Sequence, residues 1–254
     1  MPVPTDKKAG KAERKAWQQA NAQASTTPLI EISGATGHAA SATNGVFELQ
    51  ASDANDEAPV FRLRGDPDTW LYLARDRAWW ISDTAAKEMR GTTGWVYSRT
   101  VQPGTLPDVA GGWRVCSDGG QTWTLHSLTV VARPLEEFHS AVAAAWQDVH
   151  DSARAQPLLE VSGATGDHAH CVNGLYEMQL ACSPSEPPVF QKRGDAGTWL
   201  YFAEDSSWWV SHTEHKDQRA RKGWAHSAQV QPGVLPSTAG SWHVSAGGSQ
   251  WRGG

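Results

Sequence analysis

Cysteine is nearly absent from this chain: Cys116, Cys171 and Cys182 are its three cysteines in 254 residues. An odd and sparse set is no disulfide framework, and it points to a reducing compartment. No run of 18 apolar residues occurs, so no segment is long enough to cross a bilayer as a helix. The first 30 residues also lack the apolar core of a secretory signal. An excess of positive charge is missing too: 22 Lys and Arg stand against 27 Asp and Glu, giving a net charge of -5 and a pI near 6.0. That excludes the basic stripe of a nucleic-acid binder. A basic run between residues 7 and 15 is interrupted by Glu13 and is too short to change this. An intracellular, cytoplasmic protein is expected. The basic stretch at residues 7–24 leaves organelle import open, although its Ala16-Trp17-Gln18 returns as Ala145-Trp146-Gln147 and reads as part of a larger module.

Tryptophan, by contrast, is abundant and ordered. Trp17/Trp146, Trp70/Trp199, Trp79/Trp208, Trp80/Trp209, Trp95/Trp224 and Trp113/Trp242 are each 129 residues apart, and Trp123/Trp251 are 128 apart. The chain is one module written twice, with a single residue lost near its end. Pro28-Leu29-Ile30-Glu31-Ile32-Ser33-Gly34-Ala35-Thr36-Gly37 returns as Pro157-Leu158-Leu159-Glu160-Val161-Ser162-Gly163-Ala164-Thr165-Gly166. Asn44-Gly45-Val46-Phe47-Glu48 returns as Asn173-Gly174-Leu175-Tyr176-Glu177. None of the cysteines recurs: their counterparts are Ser245, Ala42 and Asp53. Two modules of about 125 residues each fall in the usual size range of an independent domain.

Periodicity divides each module into a helix and a β domain. After Pro134, which suits a first helical position, Leu135, Phe138, Val142, Trp146 and Val149 recur every three to four residues and predict an amphipathic helix over 134–151. Residues 7–24 predict its Ala-rich counterpart. Beyond each helix, short runs of β-formers alternate with Gly, Pro and Asn turns, the pattern of an antiparallel barrel or sandwich. Strands are predicted at 29–33, 46–50, 59–63, 69–74, 78–82, 95–99, 112–116 and 122–131, with partners 129 residues later where the chain allows. The fold class is therefore mostly β with short helices, a tandem duplication of an antiparallel β-barrel or sandwich module, each preceded by an amphipathic helix. The expected divisions are 1–27 for the first helix, 28–132 for the first β module, 133–156 for the linking helix and 157–254 for the second β module. The second copy lacks a counterpart for the run from Thr124 to Val131.

The hairpin from Thr69 to Ser82 is the candidate site. Strand side chains alternate faces, so with Tyr72 opposite Trp80 one face carries Leu71, Leu73, Trp79 and Ile81. The other carries Trp70, Tyr72, Trp80 and Ser82, repeated as Trp199, Tyr201, Trp209 and Ser211. Two arrangements satisfy this second, outer face. Either the module's helix or the other module lies over the rings, or Trp70, Tyr72, Trp80, Trp199, Tyr201 and Trp209 form an exposed platform for a sugar ring, a proline-rich strand or a partner protein.

Other motifs read as structure. Arg64-Gly65-Asp66 and Arg193-Gly194-Asp195 suit a strand-ending turn, and Asn44-Gly45 and Asn173-Gly174 are turn signals. Ser33-Gly34-Ala35-Thr36-Gly37 lacks the Lys and Ser/Thr of a phosphate-binding loop. His168, His170, Cys171 and Cys182 are of zinc-ligand type, but the first copy has Ala39, Ser41, Ala42 and Asp53 there, so no metal and no cofactor are expected. His212-Thr213-Glu214-His215 falls short of a metalloprotease helix. Glu31 and Glu48 could approach across strands as an acid/base pair, yet no histidine or cysteine is shared by the copies.

The block at residues 28–119, with its Ser-Gly-Ala-Thr-Gly, Asn-Gly-Val-Phe, Pro-Val-Phe, Trp-Leu-Tyr, Trp-Trp-Ile-Ser and Gly-Trp pattern, resembles a Trp-rich β repeat of proteins of algae and other protists. The resemblance covers both copies and implies an intracellular eukaryotic repeat protein; the family carries no established activity, so it transfers no functional residue. A non-catalytic protein-binding or scaffolding role is expected, with another protein as partner. A tandem carbohydrate-binding protein using the outer aromatics comes second, and a carboxylate-dependent hydrolase third.

Overall fold

A computed structural model describes residues 7–52, 54–117, 122–179, 183–246 and 251–253. The chain divides into two compact units, Met1–Glu137 and Phe138–Gly254. The first runs α1 (Lys7–Thr26), β1 (Leu29–Ser33), α2 (Ala40–Thr43), β2 (Gly45–Leu49), β3 (Phe61–Leu63), β4 (Trp70–Leu73), β5 (Trp79–Ser82), α3 (Thr84–Glu88), β6 (Val96–Tyr97), α4 (Pro107–Ala110), β7 (Arg114–Cys116), β8 (Trp123–Leu125) and β9 (Thr129–Arg133). Helix α5 (Leu135–Ala155) leads into the second: β10 (Leu158–Val161), α6 (Ala169–Val172), β11 (Gly174–Met178), β12 (Phe190–Lys192), β13 (Thr198–Phe202), β14 (Trp208–His212), α7 (Thr213–Asp217), β15 (Ala225–Ser227), a 3-10 turn (Pro236–Thr238), β16 (Trp242–Ser245) and β17 (Trp251–Gly253).

Each unit holds one antiparallel sheet curled into a half-barrel, of nine strands in the first and eight in the second. In unit 1 the curl is forced by connectivity. The order there is β8-β7-β6-β5-β4-β3-β2-β1-β9, so β8 and β9 lie on opposite edges although only four residue steps separate Leu125 from Thr129. Eight interstrand gaps laid flat would span about 38 Å, while four steps of extended chain reach about 14 Å. The edges must approach, which places β9 beside α4. The predicted single strand at 122–131 is thus two strands, broken at 126–128 where His126 N–H bonds to the Trp113 carbonyl.

The concave face is filled by the helix. Trp17 of α1 meets Trp79 edge-on at 6.5 Å, and Trp146 of α5 meets Trp208 at 6.2 Å. Phe61 and Phe190 complete the same triplets. Trp79 Nε1 donates to the Thr105 carbonyl and Trp208 Nε1 to that of Val234, each at 2.9 Å, so neither indole carries an unpaired donor into the core. A buried tryptophan of this kind contributes roughly 4–6 kcal/mol by area, an upper bound. The turns at Gly104 and Gly233 press on the helices: with φ of +86° and +92°, a Cβ there would stand 3.0 Å from Ala16 and 2.9 Å from Ala145. That explains the repeated glycine of Val-Gln-Pro-Gly. The apolar stripe of α5 is buried over Trp146 and Val149, but Leu135 is exposed, so the first turn does not join the core.

Both helices are also tethered by a polar bond that the sequence disguises. Asn21 Nδ2 donates to the Glu57 carbonyl at 2.7 Å, and its positional equivalent His150 lies 2.9 Å from the equivalent carbonyl of Glu186. The missing residue of the second copy falls in the last hairpin, because Cys116 pairs with Trp123 and Ser245 with Trp251 in the same register.

Candidate functional site

The candidate face is built on the β4–β5 hairpin, whose register sets Tyr72 opposite Trp80 and, in unit 2, Tyr201 opposite Trp209. The tight turn demands a left-handed residue, found at Arg77 and Ser206 with φ of 62°. Asp76 organises it: one carboxylate oxygen accepts from Ala78 N–H at 3.0 Å, and the other accepts from Trp80 Nε1 at 3.1 Å. Asp205 does the same for Ser207 N–H and Trp209 Nε1.

The rings stand beneath a cover. Tyr72 and Tyr201 are fully buried, and Trp80 and Trp209 are 5% and 6% exposed. Tyr72 donates to the Gly91 carbonyl at 3.0 Å and Tyr201 to that of Ala220 at 2.7 Å. Burial pushes the Tyr72 hydroxyl up to about 12 and raises that of Tyr201 as well. Trp80 stacks on Tyr97 at 4.7 Å with Trp123 edge-on, and Trp209 stacks on His226 at 4.7 Å with Trp251 edge-on. In unit 1 the cover comes from this aromatic cluster together with Ala86 of α3. The leading helix, expected as one possible cover, lies on the opposite face with Trp79.

Trp70 and Trp199 are the half-exposed members of the set. Each is fixed by its indole N–H, which donates to Thr84 and Thr213 hydroxyls at 2.9 Å. Thr84 in turn donates to Asp68, whose carboxyl these bonds hold below the usual carboxylate range. A lysine ammonium lies over each ring, Lys87 at 4.2 Å from the Trp70 centroid and Lys216 at 4.6 Å from that of Trp199. The result is a shelf of indole and ammonium, present once per unit, in which each ammonium also bonds to the carboxylate of the next residue, Glu88 or Asp217. The short helices that supply Thr84, Lys87, Thr213 and Lys216 escaped the sequence reading. Their signal was Thr-x-x-Lys after Trp-Trp-x-Ser in both copies.

Most of the polar residues shared by the copies are engaged in the fold. Glu48 pairs with Arg64 at 3.1 Å and Glu177 with Arg193 at 3.2 Å. Asp66 and Asp195 accept from Thr69 and Thr198 hydroxyls, closing the Arg-Gly-Asp turns. Ser98 and Ser227 accept from the backbone N–H of Trp79 and Trp208 at 2.9 Å. Asn44 is no simple hairpin turn: its amide makes a two-way bond with the backbone of Ala35, as Asn173 does with Ala164. Glu31, the other half of the proposed acid/base pair, is held by Arg133. Ser211 meets His215 Nδ1 at 2.7 Å, but that serine is buried, which closes it to a substrate. His170 and Cys171 touch at 3.3 Å, Cys182 lies outside the described residues, and among the described residues no group of three His, Cys, Asp or Glu is placed to hold a metal. No helix among them is long and apolar enough to cross a membrane.

Comparison of the chain with protein-family models, with curated proteins and with solved structures finds no match.

Proposed function

We propose that this chain is a non-catalytic protein-binding or scaffolding protein that presents the same surface twice. The observation that carries the reading is the shelf of Trp70 with Lys87 and Trp199 with Lys216. It is retained in both units, partly open to solvent, and held by a hydrogen bond to threonine, so a partner pays little ordering entropy to use it. Indole beside an ammonium that is itself paired with the next carboxylate, Glu88 or Asp217, suits a partly apolar polypeptide segment. Tyr72, Trp80, Tyr201 and Trp209 support the shelf from below. A pyranose needs an uncovered ring face, and the lysines occupy that position, which favours protein over glycan as the ligand.

The test is affinity purification from the native source with the wild-type chain and with a double variant, Trp70→Ala and Trp199→Ala. A protein retained by the former and lost from the folded variant supports the proposal. Binding of soluble glycan by either unit, abolished by the same substitutions, would replace it with a carbohydrate-binding function.

A further inference from the structure

Strand β10 repeats β1, yet it lacks what β1 has on its outer side. In unit 1, β9 pairs antiparallel with β1 in the register Leu29↔Arg133, Glu31↔Val131 and Ser33↔Thr129. In unit 2 the sheet begins at β10, which among the described residues pairs with β11 alone. Met178 N–H bonds to the Pro157 carbonyl, and ladder bonds alternate sides along a strand. Leu158 and Glu160 therefore direct their backbone N–H and C=O groups outward.

Side chains mark the same place. Leu29 is fully buried and Leu158 is 41% exposed. Glu31 is bridged by Arg133, whereas Glu160 is exposed with no cation beside it among the described residues. Val130 and Ala132 of β9 pack on a core that includes Ala24, Ile30, Phe61 and Leu106. Their positional equivalents Ala153, Leu159, Phe190 and Leu235 line an open cavity of about 260 Å³.

We propose that the β10 edge is a docking site for an antiparallel strand donated by another polypeptide, with the chemistry of β9: small or β-branched residues and an arginine near its C-terminal end. Main-chain bonds to Leu158 and Glu160 supply affinity, the cavity takes the inward aliphatic side chains, and Glu160 selects the arginine. Unit 1 is the template, since it contains the receptor strand with its occupant in place. A second copy of the chain is a poorer occupant, because β10 offers no arginine to a facing Glu160, and in one register sets two Glu160 carboxylates against each other. This inference rests on the protein-binding reading and adds a location and a partner chemistry to it.

The experiment adds a synthetic peptide of residues 127–133, Ser-Leu-Thr-Val-Val-Ala-Arg, to the full chain and follows amide exchange and peptide anisotropy. Slowed exchange at Leu158 and Glu160, with Leu29 and Glu31 unchanged, is expected. Glu160→Arg should weaken the peptide about fivefold, the scale of a half-exposed ion pair, and a peptide carrying Arg133→Glu should recover the loss. A peptide N-methylated at Val131 should not bind. Absence of protection at Leu158 and Glu160 at millimolar peptide overturns the proposal, as does protection that is insensitive to Glu160 and to N-methylation. A concentration-dependent dimer that protects these amides without peptide overturns it in favour of a second copy. The shelf is untouched by these changes, so loss of a partner on Trp70→Ala and Trp199→Ala with no strand binding removes only this inference.

Discussion

Leu-Ile-Glu-Ile in unit 1 and Leu-Leu-Glu-Val in unit 2 have nearly the same sequence and very different surroundings. The first is a central strand with three of its four residues buried, and the second is an edge with none buried. Burial here belongs to the neighbour rather than to the strand, since the β preference of a segment is largely a statement about what packs against it. The aromatic clusters differ in composition rather than in the burial of their central indoles. Tyr97 and Trp123 enclose Trp80, whereas His226, itself stacked on His243, and a more exposed Trp251 flank Trp209. Unit 1 is the closed form of the module and unit 2 the open one.

The deepest common feature sets the largest expected effect. Trp79→Ala and Trp208→Ala each empty a fully buried site and should cost about 3–5 kcal/mol in their own unit. Denaturant melts followed by near-UV circular dichroism would measure this. Equal losses would mean that the concave cores are equivalent despite the different edges. A markedly smaller loss for Trp208 would show that the open unit relaxes around the cavity.

Converting the closed unit into an open one should cost less. Val131 lies on β9 opposite Glu31, and by the alternation of the ladder its N–H faces β1. Val131→Pro removes that donor and should lower the stability of unit 1 by about 1–3 kcal/mol. Exchange at Leu29 and Glu31 should then approach the rates of Leu158 and Glu160. If the β1 amides stay protected, β9 is not what distinguishes the two units.

Acid should sharpen the contrast from the other side. Burial lowers the pKa of His226 below its ordinary value of 6.5, with the facing His243 adding to the effect and Asp205 and the Ser227 carbonyl opposing it. The unfolded chain therefore takes up a proton first as pH falls through 6.5. Unit 2 loses stability from there down to the folded pKa, and is free of the penalty above 6.5. Unit 1 has Tyr97 at this position and escapes this loss, so melts between pH 7 and 5 should separate the two transitions. His226→Tyr should abolish the separation.

Cysteine replacement should matter least. Cys116 has Ser245 as its counterpart in the same register, and Cys171 is half-buried on α6. Substituting Cys116, Cys171 and Cys182 together by serine should change stability by about 1 kcal/mol or less. Loss of a cooperative transition would show that one unit depends on a thiol that the other does without.

The β content, the two long helices and the Tyr72/Trp80 register are legible in the sequence because they rest on local periodicity and on repetition. What hid the rest was non-local. Alternation places Trp80 on the outer face, but only the three-dimensional return of Tyr97, Trp123 and α3 determines that this face is covered. The tether of Asn21 and His150 is invisible to comparison of the copies, because different side chains reach the same carbonyl. The split between β8 and β9 is hidden for a related reason. Thr124 to Val131 is a plausible continuous strand until the sheet edges are seen to converge.

That convergence gives the two halves different folding problems. In unit 2 every strand pairs with its neighbour in the chain, from β10 through to β17. Its sheet can zip hairpin by hairpin as the polypeptide is made. Unit 1 is finished only when Arg133 reaches Glu31 across 102 residues, a closure whose entropy must be met before the contact returns anything. The closed half should therefore have the higher contact order and the slower final step. During synthesis, β1 passes through a bare-edged state like that of β10 among the described residues, until the ribosome has released β9.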